Sequence, residues 1–304
     1  MCLIVFALNA LPGCRLLVAA NRDEHLDRPT QPLHAWRLDN GTPVVAGRDL
    51  HAGGTWLGVT PAGRVAMLTN VREALVGNAP QSRGELVTGW LQGDQPWPDF
   101  AAGIAAERYS GFNLVLGDLR QGEWVWLSNR PADGAALLAP GLVSRTLPPG
   151  VYGLSNAALD TPWPKTLRLK QAMHSVVDRA ETQLPPDWRQ PLLATLLDRR
   201  QAPVEALPHT GAPRVWEQAL SSPFVDYADR RYGTRSSLLL QAGDDEVVME
   251  EWSHERGDAA APTLAAPATP TADGRWPLAR STYRRMCISM WGMPASSNGS
   301  PLTA

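Results

Sequence analysis

Cysteine is scarce. The 304 residues hold three, Cys2, Cys14 and Cys287, too few and too scattered for a disulfide framework or a Cys-x-x-Cys zinc site. A reducing, cytoplasmic setting is therefore expected. An excess of one charge is also missing: 28 Lys and Arg face 30 Asp and Glu, for a formal charge of -2, and no segment before the C-terminal end concentrates Lys or Arg. No nucleic-acid partner is expected on that ground. No apolar run reaches the roughly 18 residues of a membrane span. Phosphate-loop and dinucleotide-binding glycine patterns are absent, which argues against a nucleotide-driven enzyme. The six histidines, at 25, 34, 51, 174, 209 and 254, show no paired-ligand spacing, so no metal site is expected.

What is present reads as globular: 44% hydrophobic and 19% charged residues, enough to bury a core of one large domain or two small ones. The first eight residues are apolar enough to imitate a signal segment, and Leu11-Pro12-Gly13-Cys14 faintly matches a lipobox. No Lys or Arg precedes that run, so export is not expected.

Two apolar runs around Asn9-Ala10-Leu11-Pro12-Gly13 predict a β-hairpin over 2–22. Cys2, Ile4, Phe6 and Leu8 face one way, Leu3, Val5 and Ala7 the other, and both faces are apolar. A strand buried on both faces lies between two covering layers, which predicts a layered architecture. Further strands are expected at 56–60, 64–70, 112–118, 123–128, 151–155, 236–241 and 246–252. Helices are expected from Ser82, whose capping partner is Glu85, and over 165–183 and 191–199. Because strands come in adjacent pairs with helices grouped between them, antiparallel sheets and an α+β class follow. After Glu255 the character changes. Residues 257–274 are dominated by Ala, Pro and Thr, so the chain divides into a domain, 1–255, and a tail, 256–304, expected to be disordered. Arg280, Arg284 and Arg285 near Trp276, Tyr283 and Trp291 read as a docking segment or a solvated terminus.

Cys2 is the most informative position. Removal of Met1 would leave a residue carrying both a thiol and a free α-amine, with reference pKa values near 8.5 and 8, so the amine can take the thiol proton at little cost. A cysteine there is also a small apolar residue suited to a strand start. Asn21-Arg22-Asp23-Glu24 follow at the end of the paired strand, close to Cys2 in space. Alternation puts Asn21 and Asp23 on one side and Arg22 and Glu24 on the other. If Asp23 faces Cys2, its carboxylate can hold the α-ammonium, and Arg22 needs a bulge to reach the same site. Asn70 and Asn156 each end an apolar strand; a carboxamide N–H aimed at an oxyanion contributes on the order of 3 kcal/mol in acyl transfer, although Asn also favours strand-ending turns. Arg235, before Ser236, could steady a thiolate or a substrate carboxylate. Gly153-Leu154-Ser155-Asn156-Ala157 is a poor serine elbow, because Pro162 and Pro164 interrupt the helix such an elbow needs.

Met1-Cys2, Asn21-Arg22-Asp23-Glu24, Gly53-Gly54-Thr55-Trp56-Leu57-Gly58 and Leu68-Thr69-Asn70-Val71-Arg72, in this order, resemble the NRDE family, also called the transport and Golgi organisation protein 2 family. The resemblance runs from Met1 to about Glu255. More remotely the layout is similar to cysteine-type N-terminal nucleophile hydrolases, which implies a four-layer αββα sandwich. It implies catalytic roles for Cys2, Asp23, Asn70, Asn156 and Arg235, and substrate contacts from Asn21, Arg22, Glu24, Trp56 and Arg72. Arg22 and Asp23 are adjacent where those hydrolases hold them apart. The implied chemistry is attack of Cys2 on an amide or thioester carbonyl of a small-molecule substrate, with no cofactor required. Eukaryotic members are associated with haem trafficking and with lipid or acyl-CoA homeostasis. A carrier of haem or an acyl chain on the same shell is therefore the competing expectation.

Overall fold

The computed structural model describes residues 2–73, 79–132, 136–180, 183–254 and 281–290. The paired apolar runs form β1 (Cys2–Leu11) and β2 (Cys14–His25), joined through Gly13, whose φ of 69° explains the glycine in the tight turn. The next strands are β3 (Thr30–Arg37), β4 (Pro43–Asp49), β5 (Leu57–Val59) and β6 (Arg64–Asn70). Helices α1 (Gly84–Gln92) and α2 (Trp97–Ala102) follow. Then come β7 (Phe112–Asp118), β8 (Glu123–Ser128), β9 (Ala136–Ala139), β10 (Leu142–Thr146) and β11 (Gly150–Leu154). Helices α3 (Pro164–Val177), α4 (Arg189–Leu196) and α5 (Arg214–Ala219) precede β12 (Asp226–Tyr227), β13 (Tyr232–Ala242), β14 (Glu246–His254) and β15 (Ser281–Ser289).

Among the described residues the strands form two antiparallel sheets. One runs β11-β1-β2-β13-β14-β15 with β12 beside β13; the other runs β3-β4-β5-β6-β7-β8-β10-β9. The two-faced apolar pattern of β1 is resolved as predicted. Ile4, Phe6 and Leu8 pack with Val18, Val59, Met67 and Trp126 between the sheets. Leu3, Val5 and Ala7 pack outward under Leu169 and Met173 of α3 and Leu192 and Leu196 of α4. Val87, Trp90 and Leu91 of α1 cover the outer face of the second sheet against Ala66, Leu114 and Leu116. The result is the expected αββα sandwich, held by three apolar layers in which each fully buried aliphatic side chain contributes about 1.5–3 kcal/mol.

Two close approaches at glycine position the site. A Cβ on Gly153 would stand 2.5 Å from Thr166 Cγ2, so glycine lets the start of α3 lie directly on β11. A Cβ on Gly54 would stand 2.9 Å from the Gly84 carbonyl carbon, so the Gly53-Gly54-Thr55 segment and the start of α1 touch main chain to main chain.

The tail expectation is corrected at one place. Residues 281–289 form β15, which pairs along the whole of β14, from Glu246 opposite Ser289 to His254 opposite Ser281. Its Ile288 joins the inter-sheet core and its Tyr283 packs against the opposite face. The charges Arg284 and Arg285 mask the alternation in the sequence. They are tolerable because β15 is an edge strand opposite Glu251 and Glu250. The Ala/Pro/Thr stretch, Trp276, Arg280, Trp291 and Met1 lie outside the described residues.

Candidate active site

A cavity of about 800 Å³ opens where the ends of β1, β2, β13 and β14 meet the loops around β4, β5 and α1, and Cys2 is part of its wall. Cys2 and Arg22 are direct partners across the β1–β2 ladder. Side chains opposite each other in an antiparallel pair share a face with Cα atoms about 4.5–5.5 Å apart. Arg22 therefore stands beside the thiol. Glu24, two residues on, lines the cavity too, as do Trp56, Asn70 and Arg235.

The face assignment of the tetrapeptide holds and its consequence reverses. Asp23 contributes to the cavity wall, yet its carboxylate turns toward α3, accepting a 2.7 Å bond from Thr234 Oγ1 and lying 4.0 Å from Lys165 Nζ. Arg22 needs no bulge of its own. The irregularity lies across from it, where the β2–β13 register steps from Asp23–Thr234 to Arg22–Ser236, leaving Arg235 as the extra residue. Arg235 Nη1 donates to the carbonyls of His25 (2.9 Å) and Arg28 (3.0 Å).

Three sequence-predicted residues lie elsewhere. Asn21 shares the Asp23 face and is fully buried, its Nδ2 donating to the carbonyls of Leu196 (2.7 Å) and Pro223 (2.9 Å). It ties β2 to the helical layer and does not line the cavity. Arg72 pairs with buried Glu217 and stacks over Trp163, 4.6 Å from the ring centroid, outside the cavity wall. Asn156 is buried behind the site, its Nδ2 donating 2.9 Å to the Asn70 carbonyl and its Oδ1 accepting from Ser155 Oγ at 3.2 Å. It holds Asn70 in place; only Asn70 of the two reaches the cavity.

Residues that sequence reasoning missed complete the site. Arg83, brought in by the Gly54–Gly84 contact, and Asp49 and Glu251 line the cavity. Lys165 is buried behind Asp23, where burial lowers its pKa to about 8 against the opposing pull of Asp23. Tyr232 donates 2.8 Å to the Asp23 carbonyl, and burial raises its phenol well above the usual range. None of these has a local signature, since a buried charge is defined by partners distant in sequence.

Burial pushes the Cys2 thiol pKa up and the Asp23 carboxylate adds to the rise, while Arg22 and the Asp23 backbone N–H pull it partly back. Glu24, although burial raises it, is held below the usual carboxylate range by the His25 N–H, Arg22 and Arg28. Burial keeps Glu251 raised, with the Leu33 N–H donating to it at 2.8 Å. Arg22 favours the thiolate, so its removal raises the thiol pKa further. Iodoacetamide alkylation of Cys2 is accordingly expected to accelerate with pH around a midpoint above that of free cysteine. In Arg22→Gln the midpoint moves higher still; a move to lower pH contradicts this electrostatic account.

No described group of His, Cys, Asp and Glu is arranged to hold a metal ion. His25, His51 and His254 reach the cavity, but both ring nitrogens of His254 are engaged, with Ser237 Oγ at 2.9 Å and Ser281 Oγ at 2.8 Å. No helix among the described residues is long and apolar enough to cross a membrane.

The family model of Transport and Golgi organisation 2 matches residues 1–255. The chain belongs to that family. Family members include the human Transport and Golgi organization protein 2 homolog, 34% identical over 273 residues that cover 83% of this chain and 93% of the relative. The Drosophila melanogaster Transport and Golgi organization protein 2 is 26% identical over 265 residues, 81% of this chain and 90% of the relative. Among solved structures, the chain is similar to the C2A mutant of a conjugated bile acid hydrolase from Clostridium perfringens, with a TM-score of 0.42 at 9% identity over 85% of this chain and 91% of that one. It is also similar to a Caenorhabditis elegans N-acylethanolamine-hydrolyzing acid amidase ortholog, with a TM-score of 0.39 at 11% identity, covering 58% and 79%. A likeness at that level speaks to neither substrate nor reaction.

Proposed function

We propose that this protein is a cysteine acyl hydrolase of the N-terminal nucleophile type, acting on an amide or thioester once Met1 is removed. The observation that carries the reading is the placement of Cys2, at the first position of a buried strand, in the wall of a large polar cavity with Arg22 beside it. In the proposed reaction the α-amine of Cys2 takes the thiol proton and the sulfur attacks the carbonyl carbon. The tetrahedral oxyanion is met by Asn70, which Asn156 orients. As the carbon–nitrogen or carbon–sulfur bond breaks, the ammonium returns the proton to the leaving amine or thiol. Water then attacks the acyl-cysteine, releases the carboxylic acid and regenerates the thiol.

The character of the wall favours this over carriage of haem or an acyl chain. Carrier sites are lined mainly by apolar and aromatic side chains, whereas Arg, Asp, Glu, His and Ser dominate here, with Trp56 and Leu68 the large apolar contributors. The test is hydrolysis of a panel of small thioesters and amides, read as released thiol or amine. Turnover by the wild-type chain is expected, and Asn70→Ala should lower it by about 10²–10³-fold, the usual cost of one oxyanion donor. A panel with no turnover and no covalent intermediate contradicts the proposal.

A further inference from the structure

Five guanidinium groups, from Arg22, Arg28, Arg48, Arg83 and Arg235, line the cavity. The acids facing them do not balance this charge. Asp49 is bound to Arg28 Nε at 2.7 Å and lies 3.8 Å from Arg22 Nη2, and Glu24 lies 3.8 Å from both Arg22 and Arg28. The Asp23 carboxylate is turned to Lys165, and Glu251 is buried and bonded to the Leu33 N–H. Arg48 and Arg83 donate to main-chain carbonyls, of Gly53 (3.2 Å) and Gly111 (3.3 Å); such bonds orient a guanidinium without neutralising it. One nitrogen is left over. The Arg22 side chain is 8% exposed, and its Nη1 has no hydrogen-bond partner among the described residues. A buried guanidinium N–H without an acceptor is costly, and its natural complement is a bidentate oxyanion.

We infer that the substrate carries an oxyanion, a carboxylate or a phosphate, close to the scissile carbonyl, and that the Arg22 guanidinium with Arg83 holds it. Arg22 is the cross-strand partner of Cys2, so an anion on its guanidinium lies next to the carbonyl under attack and not at a distant end of the ligand. Arg83 enters from the N-terminus of α1, which covers the other sheet, and lines the same cavity as Cys2 and Glu24. Asp49 and Glu24 hold Arg22 in position from below. The assignment rests on the acyl-transfer reading of Cys2, and its test is chosen to be independent of turnover.

The full-length Cys2→Ala protein, which cannot form an acyl-enzyme, is titrated calorimetrically with three acetyl thioesters. Their thiol parts are 2-mercaptoethanol, 3-mercaptopropionate and 2-mercaptoethyl phosphate, so they differ in charge and hardly in size. At least one anionic member is expected to bind about tenfold more tightly than the neutral one, and which one does identifies the anion. Adding Arg22→Met should bring the preference to within about twofold, and adding Arg83→Met should reduce it in part. Thermal unfolding of each variant checks that it is folded; if Arg22→Met is not, Arg83→Met and competition by acetate or inorganic phosphate decide. Equal binding of all three thioesters, or a preference unchanged in the folded arginine variants, overturns the inference. Anion preference without wild-type turnover would sink the hydrolase reading alone, and turnover without anion preference would sink this one alone.

Discussion

Cys2→Ala is expected to abolish acyl-enzyme formation and turnover completely while leaving the fold intact. Cys2 is small and buried, and its change to alanine removes one sulfur from a position beside Ile4 and Phe6 in the inter-sheet core. The stability change should be about 1 kcal/mol, whereas the reaction loses its only covalent centre. Cys2→Ser keeps the shape and supplies a poorer nucleophile, so it should retain at most a trace of activity. These two variants separate chemistry from structure. An alanine variant that still turns over would assign the reaction to another group.

Glu217→Gln is expected to cost about 3–5 kcal/mol of stability, the usual penalty for leaving one member of a buried ion pair alone. The Arg72 and Glu217 side chains are 6% and 1% exposed, and Glu217 also accepts a hydrogen bond from Thr210 Oγ1. Arg72 Nε and Nη2 have no other hydrogen-bond partner among the described residues, so losing the carboxylate strands a buried cation. Against a total stability of about 5–15 kcal/mol this is a large fraction. In urea unfolding the midpoint should fall with the slope unchanged. The double variant Arg72→Met/Glu217→Leu, which removes both charges, should recover most of the loss. Its anion binding should match the parent, because neither side chain reaches the cavity. A Glu217→Gln protein as stable as wild type would show that the pair contributes nothing to the fold.

How far the sequence carried the reading depends on where each signal originates. β6, β7 and β8 were legible to the residue because their apolar runs are bounded by turns and buried on both faces. β3 and β4 carry a weaker signal: β3 contains Pro32 and alternates irregularly, with a register shift between Gln31 and His34. β15 was hidden by its charges and by the long stretch that precedes it. At the site, Cys2, Arg22, Glu24, Trp56, Asn70 and Arg235 line one cavity. Asn21 and Arg72 belong to the same motifs and Asn156 ends a strand as Asn70 does, but they point to backbone carbonyls or to Glu217. A motif fixes which residues are near one another; strand alternation and the helices above decide which way each side chain turns. Lys165 and Glu217 had no sequence signal because their partners lie more than a hundred residues away.

The central proposition is that Cys2 becomes the first residue and carries the acyl group. Intact-protein mass spectrometry of the full-length chain, before and after brief exposure to an acetyl thioester, reads both at once. The account predicts a mass short by one methionine and, after exposure, a transient acetyl adduct that peptide mapping places on Cys2. A chain that keeps Met1, or an adduct on any other residue, contradicts it.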